Sequence, residues 1–196
     1  MNPMLVPYFT EQNGRNKKTS DIPTKLMEQG IIQLFGEVDE TTSAFITGAL
    51  LCCSTQFEEI SLYINSPGGV CTDGFAIKDV IMNLKKKGVL VNTYGLGQCC
   101  SMGAYLLSCG TGKRYLTPSC RYMIHSVQSA MDYSAYPDAK VQFNETTRLQ
   151  ELMRDDLIKF SKGKLNKREV TKLMQRDSFM DAQQCINLGL ADEILG

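Results

Sequence analysis

In the first half of the chain, three apolar runs alternate with helical patterns, and this alternation constrains the fold most. Residues 31–35, 60–65 and 89–94 predict strands, and a helical pattern follows each of them after a short connection. Strands that alternate with helices in this way form a layered α/β domain with mainly parallel pairing. The 196 residues suit one such domain with a sizeable core.

The three helices predicted to follow these strands have start signals, and the first two of them have an apolar face. Asp39 or Thr41 can open the first, Thr72 or Asp73 the second, and Ser101 stands at the start of the third. The apolar positions predicted to face the core in the first two helices are Phe45, Ile46, Ala49, Leu50, Ile77, Val80, Ile81 and Leu84.

The remaining segments are shorter or differently patterned. Residues 1–20 predict a flexible arm, because they are mostly polar and bury little by themselves. Short strands are predicted at 114–116, 121–124 and 190–195, and short helices at 21–29, after Asn166 and after Asp181. A longer helix is predicted over 139–162, with an apolar stripe of Leu149, Leu152, Met153, Leu157 and Phe160.

Charge and hydropathy argue against several classes of protein. Lys plus Arg and Asp plus Glu number 21 each, so no overall positive field attracts nucleic acid or an anionic membrane. No apolar run approaches the roughly 18 residues that a membrane span needs. The N-terminus does not resemble a secretory signal. We therefore expect no nucleic-acid or membrane partner and a cytoplasmic protein, with an organelle stroma or matrix as the alternative compartment.

The eight cysteines do not form a recognisable metal or disulfide pattern. They lack the Cys-x-x-Cys spacing of zinc sites, and nothing indicates the secretion that disulfides would require. We predict that most are reduced, buried packing residues and that the protein binds no metal.

Ser101 lies between a predicted strand and a predicted helix. The unpaired amides of a first helical turn carry partial positive charge, which stabilises negative charge that develops on a reacting carbonyl. Ser101 is therefore either a nucleophile or a helix cap, and this segment by itself favours the cap. Cys100 is a rival nucleophile, but successive residues at a helix start project about 100° apart, which favours Ser101 with Cys99 and Cys100 as packing.

His125 is the single histidine of the chain and ends a predicted strand. If Ser101 is a nucleophile activated by histidine, His125 must be the base. An acidic residue would orient the imidazole. The candidates in polar breaks are Asp132, Asp138, Asp177 and Asp181. A lone histidine at such a place is also compatible with a purely structural role.

Gly68 and Gly69 follow Pro67 at the end of a predicted strand. Two glycines let the backbone approach a ligand closely, and ligands bind at this edge of such sheets. The amides of Gly69 and Met102 could form an oxyanion hole, although a tight strand-to-helix turn explains the glycines equally well. The spacing around Ser101 does not fit the Gly-x-Ser-x-Gly elbow of α/β-hydrolases.

Four sequence motifs resemble those of the ClpP family, whose members are the proteolytic subunits of the Clp protease, and they occur in the order and at the spacing found in that family. The similarity extends nearly from end to end, and the motifs are YINSPGG at 63–69, GQCCSMGA at 97–104, MIH at 123–125 and RDSF at 176–179. The resemblance implies Ser101 as nucleophile, His125 as general base and Asp177 as third member, with the Gly69 and Met102 amides as the oxyanion hole.

The resemblance also implies the fold and the partners. It implies a ClpP/crotonase-like spiral of ββα units over 21–196, a protruding helical handle at about 130–162, and an axial arm at 1–20. Members stack two heptameric rings around a chamber, and an AAA+ unfoldase feeds them unfolded polypeptides. Cleavage needs no cofactor, because ATP is used by the unfoldase. The alternatives are a structural ring subunit of a mixed complex, with little or no activity, and a crotonase-type enzyme acting on acyl-coenzyme A.

The chain departs from the family pattern close to the site. Residues 126–130 (SVQSA) replace the usual Gln-Pro and glycine pair, and Gln175 replaces an acidic residue. Three extra residues fall within 85–97, and Cys99-Cys100 replaces Ala-Ala. We therefore expect altered cleavage preference and altered regulation.

Overall fold

The structure is a computed structural model that describes residues 8–14, 16–128 and 136–196. Its first element is an antiparallel pair, β1 (Tyr8–Asn13) and β2 (Asn16–Asp21). These residues form a regular antiparallel pair within the predicted arm, whose flexibility stays a prediction, and the first seven residues lie outside the described part. Cross-strand pairing satisfies the backbone hydrogen-bonding groups of this polar segment, which has no core of its own. The hydroxyls of Thr10 and Thr19 lie 3.0 Å apart across the two strands.

The next elements follow the predicted alternation. They are α1 (Ile22–Met27), β3 (Ile31–Phe35), α2 (Glu40–Cys53), β4 (Glu59–Ser66), α3 (Cys71–Lys86), β5 (Leu90–Cys100) and α4 (Met102–Ser108). Asp39 is the N-cap of α2, where its carboxylate accepts from the Thr42 amide at 2.7 Å. Helix α3 begins at Cys71, before both predicted cap residues, and no side chain caps it.

The second half contains shorter strands and the longest helix. Its elements are β6 (Arg114–Leu116), β7 (Arg121–Ile124), α5 (Tyr136–Phe160), α6 (Lys167–Met174), β8 (Ser178–Met180), α7 (Ala182–Asn187) and β9 (Glu193–Ile194). Asn166 and Asp181 cap α6 and α7 as predicted, each in a capping box. The final strand is much shorter than predicted. Part of the predicted handle, residues 130–135, lies outside the described residues.

Seven strands form one mostly parallel sheet, which confirms the predicted fold class. The main path runs β3-β4-β5-β6-β9, all in parallel, and β7 pairs with the far end of β5. Strand β8 pairs with β7 in the antiparallel direction. Strand β5 thus pairs with β6 through residues 93–95 and with β7 through residues 98–100. This change of partner brings the ends of β5 and β7 together.

Strand β5 is longer than the sequence predicts. The apolar run predicts residues 89–94, whereas the observed strand continues to Cys100. Residues 98–100 carry no strand-like apolar pattern of their own. They are extended because β7 provides the hydrogen-bond partners, and such a distant partner cannot be read from a local pattern.

The core lies between the sheet and α2, α3 and α4. Strands β3 and β4 and helices α2 and α3 contribute many of its fully buried aliphatic side chains, which include Ile32, Leu34, Ile46, Leu50, Ile60, Leu62, Ile64, Ile77 and Ile81. The prediction of a core position is wrong for two residues, because Phe45 is 47% exposed and Leu152 is 41% exposed. In α5, Met153 and Leu157 are the two buried residues, since much of that helix projects beyond the domain.

Within the described ranges, no helix combines the length and the apolar character that a membrane span requires. All eight cysteines are free thiols, and six of them are buried, which agrees with the predicted packing role. The described residues contain no cluster of three or more His, Cys, Asp or Glu side chains arranged to hold a metal.

Candidate active site

Ser101 occupies the single residue between β5 and α4 and has an unusual backbone. Its φ of 53° and ψ of −119° lie in a region that non-glycine residues rarely adopt, at a cost of about 1–3 kcal/mol. Two hydrogen bonds hold it there. Its amide donates to the Met123 carbonyl at 2.7 Å, and its carbonyl accepts from the Tyr105 amide at 3.1 Å.

The Ser101 side chain does not cap α4, although the residue stands at the N-cap position. Its Oγ instead lies 2.8 Å from Nε2 of His125, within hydrogen-bond distance. The two residues are far apart in the chain and meet because β5 pairs with β7 just before each of them. The geometry therefore disagrees with the cap interpretation and fits a hydroxyl paired with a base.

Asp177 lies next to His125 for a similar reason. Strand β8 pairs with β7 so that Ser178 lies opposite Ile124. This pairing places Asp177, the residue before β8, beside His125, the residue after β7. Asp177 Oδ1 is 3.5 Å from His125 Nδ1, and the Asp177 side chain is 61% exposed against 18% for His125. Charge-assisted hydrogen bonds are about 2.7–2.9 Å long, so this contact is loose.

The other acidic candidates are placed elsewhere or lie outside the described residues. Asp181 accepts from the Gln184 amide at 2.8 Å as the cap of α7. Asp138 lies in the first turn of α5. Asp132 falls among the residues that the structure does not describe. Among the described candidates, Asp177 is thus the one whose carboxylate contacts the imidazole of His125.

Gly68 and Gly69 follow the end of β4 against Ser101 and Val38. A Cβ on Gly68 would lie 2.5 Å from the Ser101 Cβ and 2.8 Å from the Cys100 carbonyl oxygen. A Cβ on Gly69 would lie 2.2 Å from the Val38 carbonyl oxygen. Both residues also have positive φ, so a side chain would displace the backbone beside Ser101 at position 68 and the backbone of Val38 at position 69.

The two predicted oxyanion-hole residues lie on either side of this junction. Gly69 lines the cavity that contains Ser101 and His125. Met102 is the first residue of α4, so its amide has no partner within the helix, and its side chain is buried against Gly74. Both amides thus belong to segments that adjoin Ser101.

The cavity next to Ser101 measures about 250 Å³. Its wall combines the turn at residues 67–69 (the glycine turn), side chains of β7 and of the segment after it, the first residue of α3 and one residue of α5. The lining residues are Pro67, Gly69, Cys71, Ser101, Met123, His125, Ser126, Val127, Gln128 and Met153. The space adjoins both the hydroxyl and the imidazole, so a bound group can reach both.

Two glutamines near His125 were not identified from the sequence. Gln150 on α5 accepts a hydrogen bond from the Val127 amide at 2.6 Å, and Gln128 Nε2 lies 3.4 Å from His125 Nδ1. The available signal was the departure from the family pattern at residues 126–130. The sequence located the difference but not its contacts, and residues 129 and 130 lie outside the described part.

The neighbouring thiols are poorly suited to act as nucleophiles. A hydrogen bond with Cys120 and burial raise the pKa of the Cys99 thiol well above its ordinary value, and burial raises the pKa of the Cys100 thiol. Thiols with raised pKa values remain protonated at neutral pH, and the nucleophile is the thiolate. This agrees with the interpretation of both cysteines as packing residues.

Comparison with protein-family models matches residues 14–196 of the chain to the family described as Clp protease. The chain belongs to the Clp protease family. The match covers the seven-stranded sheet and the seven helices of the described residues, and it confirms the resemblance that the four motifs carry. Membership in the Clp protease family makes the chain a ClpP-type serine peptidase. It also favours peptidase activity over chemistry on acyl-coenzyme A.

Proposed function

We propose that this Clp protease family member is a serine endopeptidase in which Ser101, His125 and Asp177 form the catalytic triad. The observation that supports this most directly is the 2.8 Å contact between Ser101 Oγ and His125 Nε2 at the edge of a cavity. A strained serine backbone beside a base is typical of an activated nucleophile rather than of a structural hydrogen bond.

The proposed reaction proceeds through an acyl-enzyme. Ser101 Oγ attacks the carbonyl carbon of the peptide bond while His125 Nε2 accepts the hydroxyl proton. The amides of Gly69 and Met102 stabilise the oxyanion, and the imidazolium then gives its proton to the leaving amine. Water attacks the ester with His125 again as base, which releases the second product and restores Ser101. Asp177 fixes the tautomer and stabilises the imidazolium.

We further propose the assembly of the family for this chain. Two stacked heptameric rings would enclose the Ser101 residues, with the handle at about 130–162 between the rings and the arm at 1–20 at the axial pore. An AAA+ unfoldase of the Clp type would supply unfolded polypeptides from the cytoplasm, or from an organelle stroma or matrix. Cleavage would need no cofactor, because the triad provides every proton transfer; ATP would be consumed by the unfoldase. No nucleic acid or membrane partner is proposed.

One observation favours the second candidate, a ring subunit with little activity of its own. Asp177 is largely exposed and lies 3.5 Å from the imidazole, so the resting site lacks a tight third member. In a mixed assembly, such a subunit would contribute structure while other subunits cleave. The two candidate functions differ in the rate at which this chain cleaves peptides, and that rate can be measured directly.

The test combines an activity-based probe with a matched variant. Wild-type protein treated with a fluorophosphonate should be labelled on Ser101, and Ser101→Ala should lose both the label and cleavage of a fluorogenic peptide. Ser108→Ala, at the buried serine that ends the helix following Ser101, controls for the loss of a hydroxyl. Unlabelled Ser101 in the intact assembly would favour the structural subunit. Cleavage by Ser101→Ala at the original rate would exclude the proposed nucleophile.

A further inference from the structure

Two side chains face Nδ1 of His125 at nearly equal distances. Gln128 Nε2 is 3.4 Å away and Asp177 Oδ1 is 3.5 Å away. This nitrogen carries either one hydrogen or one lone pair in the ring plane, so it makes one good hydrogen bond at a time. Both distances exceed the usual 2.7–3.2 Å for nitrogen donors, so neither partner has fully engaged it.

Resting on the function proposed above, we propose that Gln128 is a positioning residue that competes with Asp177 for His125 Nδ1. The competition lowers the activity of the site until a bound peptide displaces Gln128. The residue does not touch the reacting atoms; it acts through the imidazole. Among the described residues, the Asp177 carboxylate has no other side-chain partner, so the outcome depends on which group occupies Nδ1.

Either orientation of the Gln128 carboxamide weakens the base. If its amino group donates to Nδ1, the ring hydrogen lies on Nε2, and Nε2 cannot accept the proton of Ser101. If its oxygen accepts from Nδ1–H, the tautomer is correct, but a neutral oxygen stabilises the imidazolium less than a carboxylate does. Asp177 provides both the correct tautomer and the negative charge.

The segment that carries Gln128 is anchored through its backbone, whereas the Gln128 side chain is exposed to solvent. The Val127 amide donates to Gln150 Oε1 at 2.6 Å, which anchors the segment to α5, and the Val127 side chain packs against the core. Gln128 itself is exposed and lines the cavity beside Ser101. A peptide that fills this cavity therefore meets the Gln128 side chain and can move it while the anchor holds.

The first test is kinetic. Gln128→Leu keeps a similar size and removes both hydrogen-bonding groups. We expect kcat on a short fluorogenic peptide to rise about two- to tenfold, the equivalent of one ordinary hydrogen bond, with little change in KM. Gln183→Leu, at an exposed glutamine on α7, is the matched control and should leave kcat unchanged. An unchanged or lower kcat in Gln128→Leu would overturn the proposal.

The second test does not depend on turnover. Because the chain has one histidine, ring-¹⁵N-labelled histidine in tag-free protein gives signals from His125 alone. We expect Gln128→Leu to shift the Nδ1 resonance and Gln183→Leu to leave it in place. An unshifted resonance would contradict the contact. Fluorophosphonate labelling of the wild type separates the two proposals: if Ser101 is labelled, the proposed function stands even where Gln128→Leu has no effect.

Discussion

Two aspartates in this molecule each face a basic side chain, and the two pairs are built differently. Arg114 is 1% exposed and binds Asp192 in a bidentate manner, with Nε to Oδ2 at 2.9 Å and Nη2 to Oδ1 at 2.7 Å. His125 and Asp177 are 3.5 Å apart, and Asp177 is mostly exposed. The first pair joins β6 to the residue just before β9, whereas the second lies beside the cavity.

The surroundings explain why one pair is tight and the other loose. Arg114 also donates to the carbonyls of Ser108 and Phe160, so four of the five N–H groups of its guanidinium form hydrogen bonds. Burial alone would raise the pKa of Asp192, but hydrogen bonds from Arg114 and Lys162 hold that pKa well below its usual range. Among the residues that the structure describes, no comparable set of donors surrounds Asp177. A structural pair is thus fixed by many bonds, while the proposed catalytic pair remains adjustable.

Breaking the tight pair should have the largest effect on stability. Arg114→Met removes the guanidinium, leaves Asp192 with Lys162 as its remaining cation, and leaves two buried carbonyls without a donor. We expect a loss of about 3 kcal/mol in the free energy of unfolding, at the lower end of values for a broken buried pair. Chemical denaturation at a fixed protomer concentration measures it.

The double variant Arg114→Met/Asp192→Leu refines this prediction. Replacing both charges removes the uncompensated carboxylate, so we expect part of the lost stability to return. A double variant less stable than Arg114→Met would mean that the pair itself, rather than the unpaired charge, supplies most of the stability.

The glycine turn should be the next most sensitive feature, and its effect should be on activity. In Gly68→Ala, the new methyl group would lie 2.5 Å from the Ser101 Cβ, so Ser101 and the Met102 amide must move. We expect peptidase activity to fall about 10²–10³-fold, comparable to the loss of one oxyanion donor. Gly48→Ala is the control, because nothing lies within 4 Å of its new methyl group. Equal activity of the two variants would contradict the tight approach to Ser101.

A smaller loss of activity is expected when the negative charge is removed from the loose pair of His125 and Asp177. Asp177→Asn keeps the shape but removes the negative charge that favours Nδ1–H. Because the resting contact is long, we expect kcat/KM to fall only about 10–100-fold, below the roughly 10⁴-fold typical of a tightly bonded triad. Fluorogenic peptide kinetics at neutral pH measure it. A 10⁴-fold loss would show that the pair closes fully during catalysis.

The smallest predicted effect is a change in acid stability. Asp192 has a depressed pKa in the folded state, so it contributes stability above its unfolded pKa of about 3.9, and this contribution is lost as pH falls toward the folded pKa. The difference in stability between wild type and Asp192→Asn should be constant from pH 7 to about 5 and should shrink below about pH 4. Urea denaturation across this range checks it. A difference that grows on acidification would contradict the assignment.

The sequence alone predicted the elements whose cause is local. Apolar runs and cap residues indicated β3, β4, α2 and α6, because burial patterns and caps such as Asp39 and Asn166 depend on neighbours in the chain. Ordered motifs also indicated the family, and with it the candidate triad. These signals are all carried by short stretches of residues.

The tertiary structure decided what depends on distant partners. Strand β5 continues to Cys100 because β7 pairs with it, and the same pairing brings Ser101 within 2.8 Å of His125. The looseness of Asp177 and the approach of Gln128 to Nδ1 are likewise distances between segments. No local pattern contains a distance between segments, so the sequence named Ser101, His125 and Asp177 as candidates but missed Gln128 and Gln150. Only the fold determined how closely these residues meet.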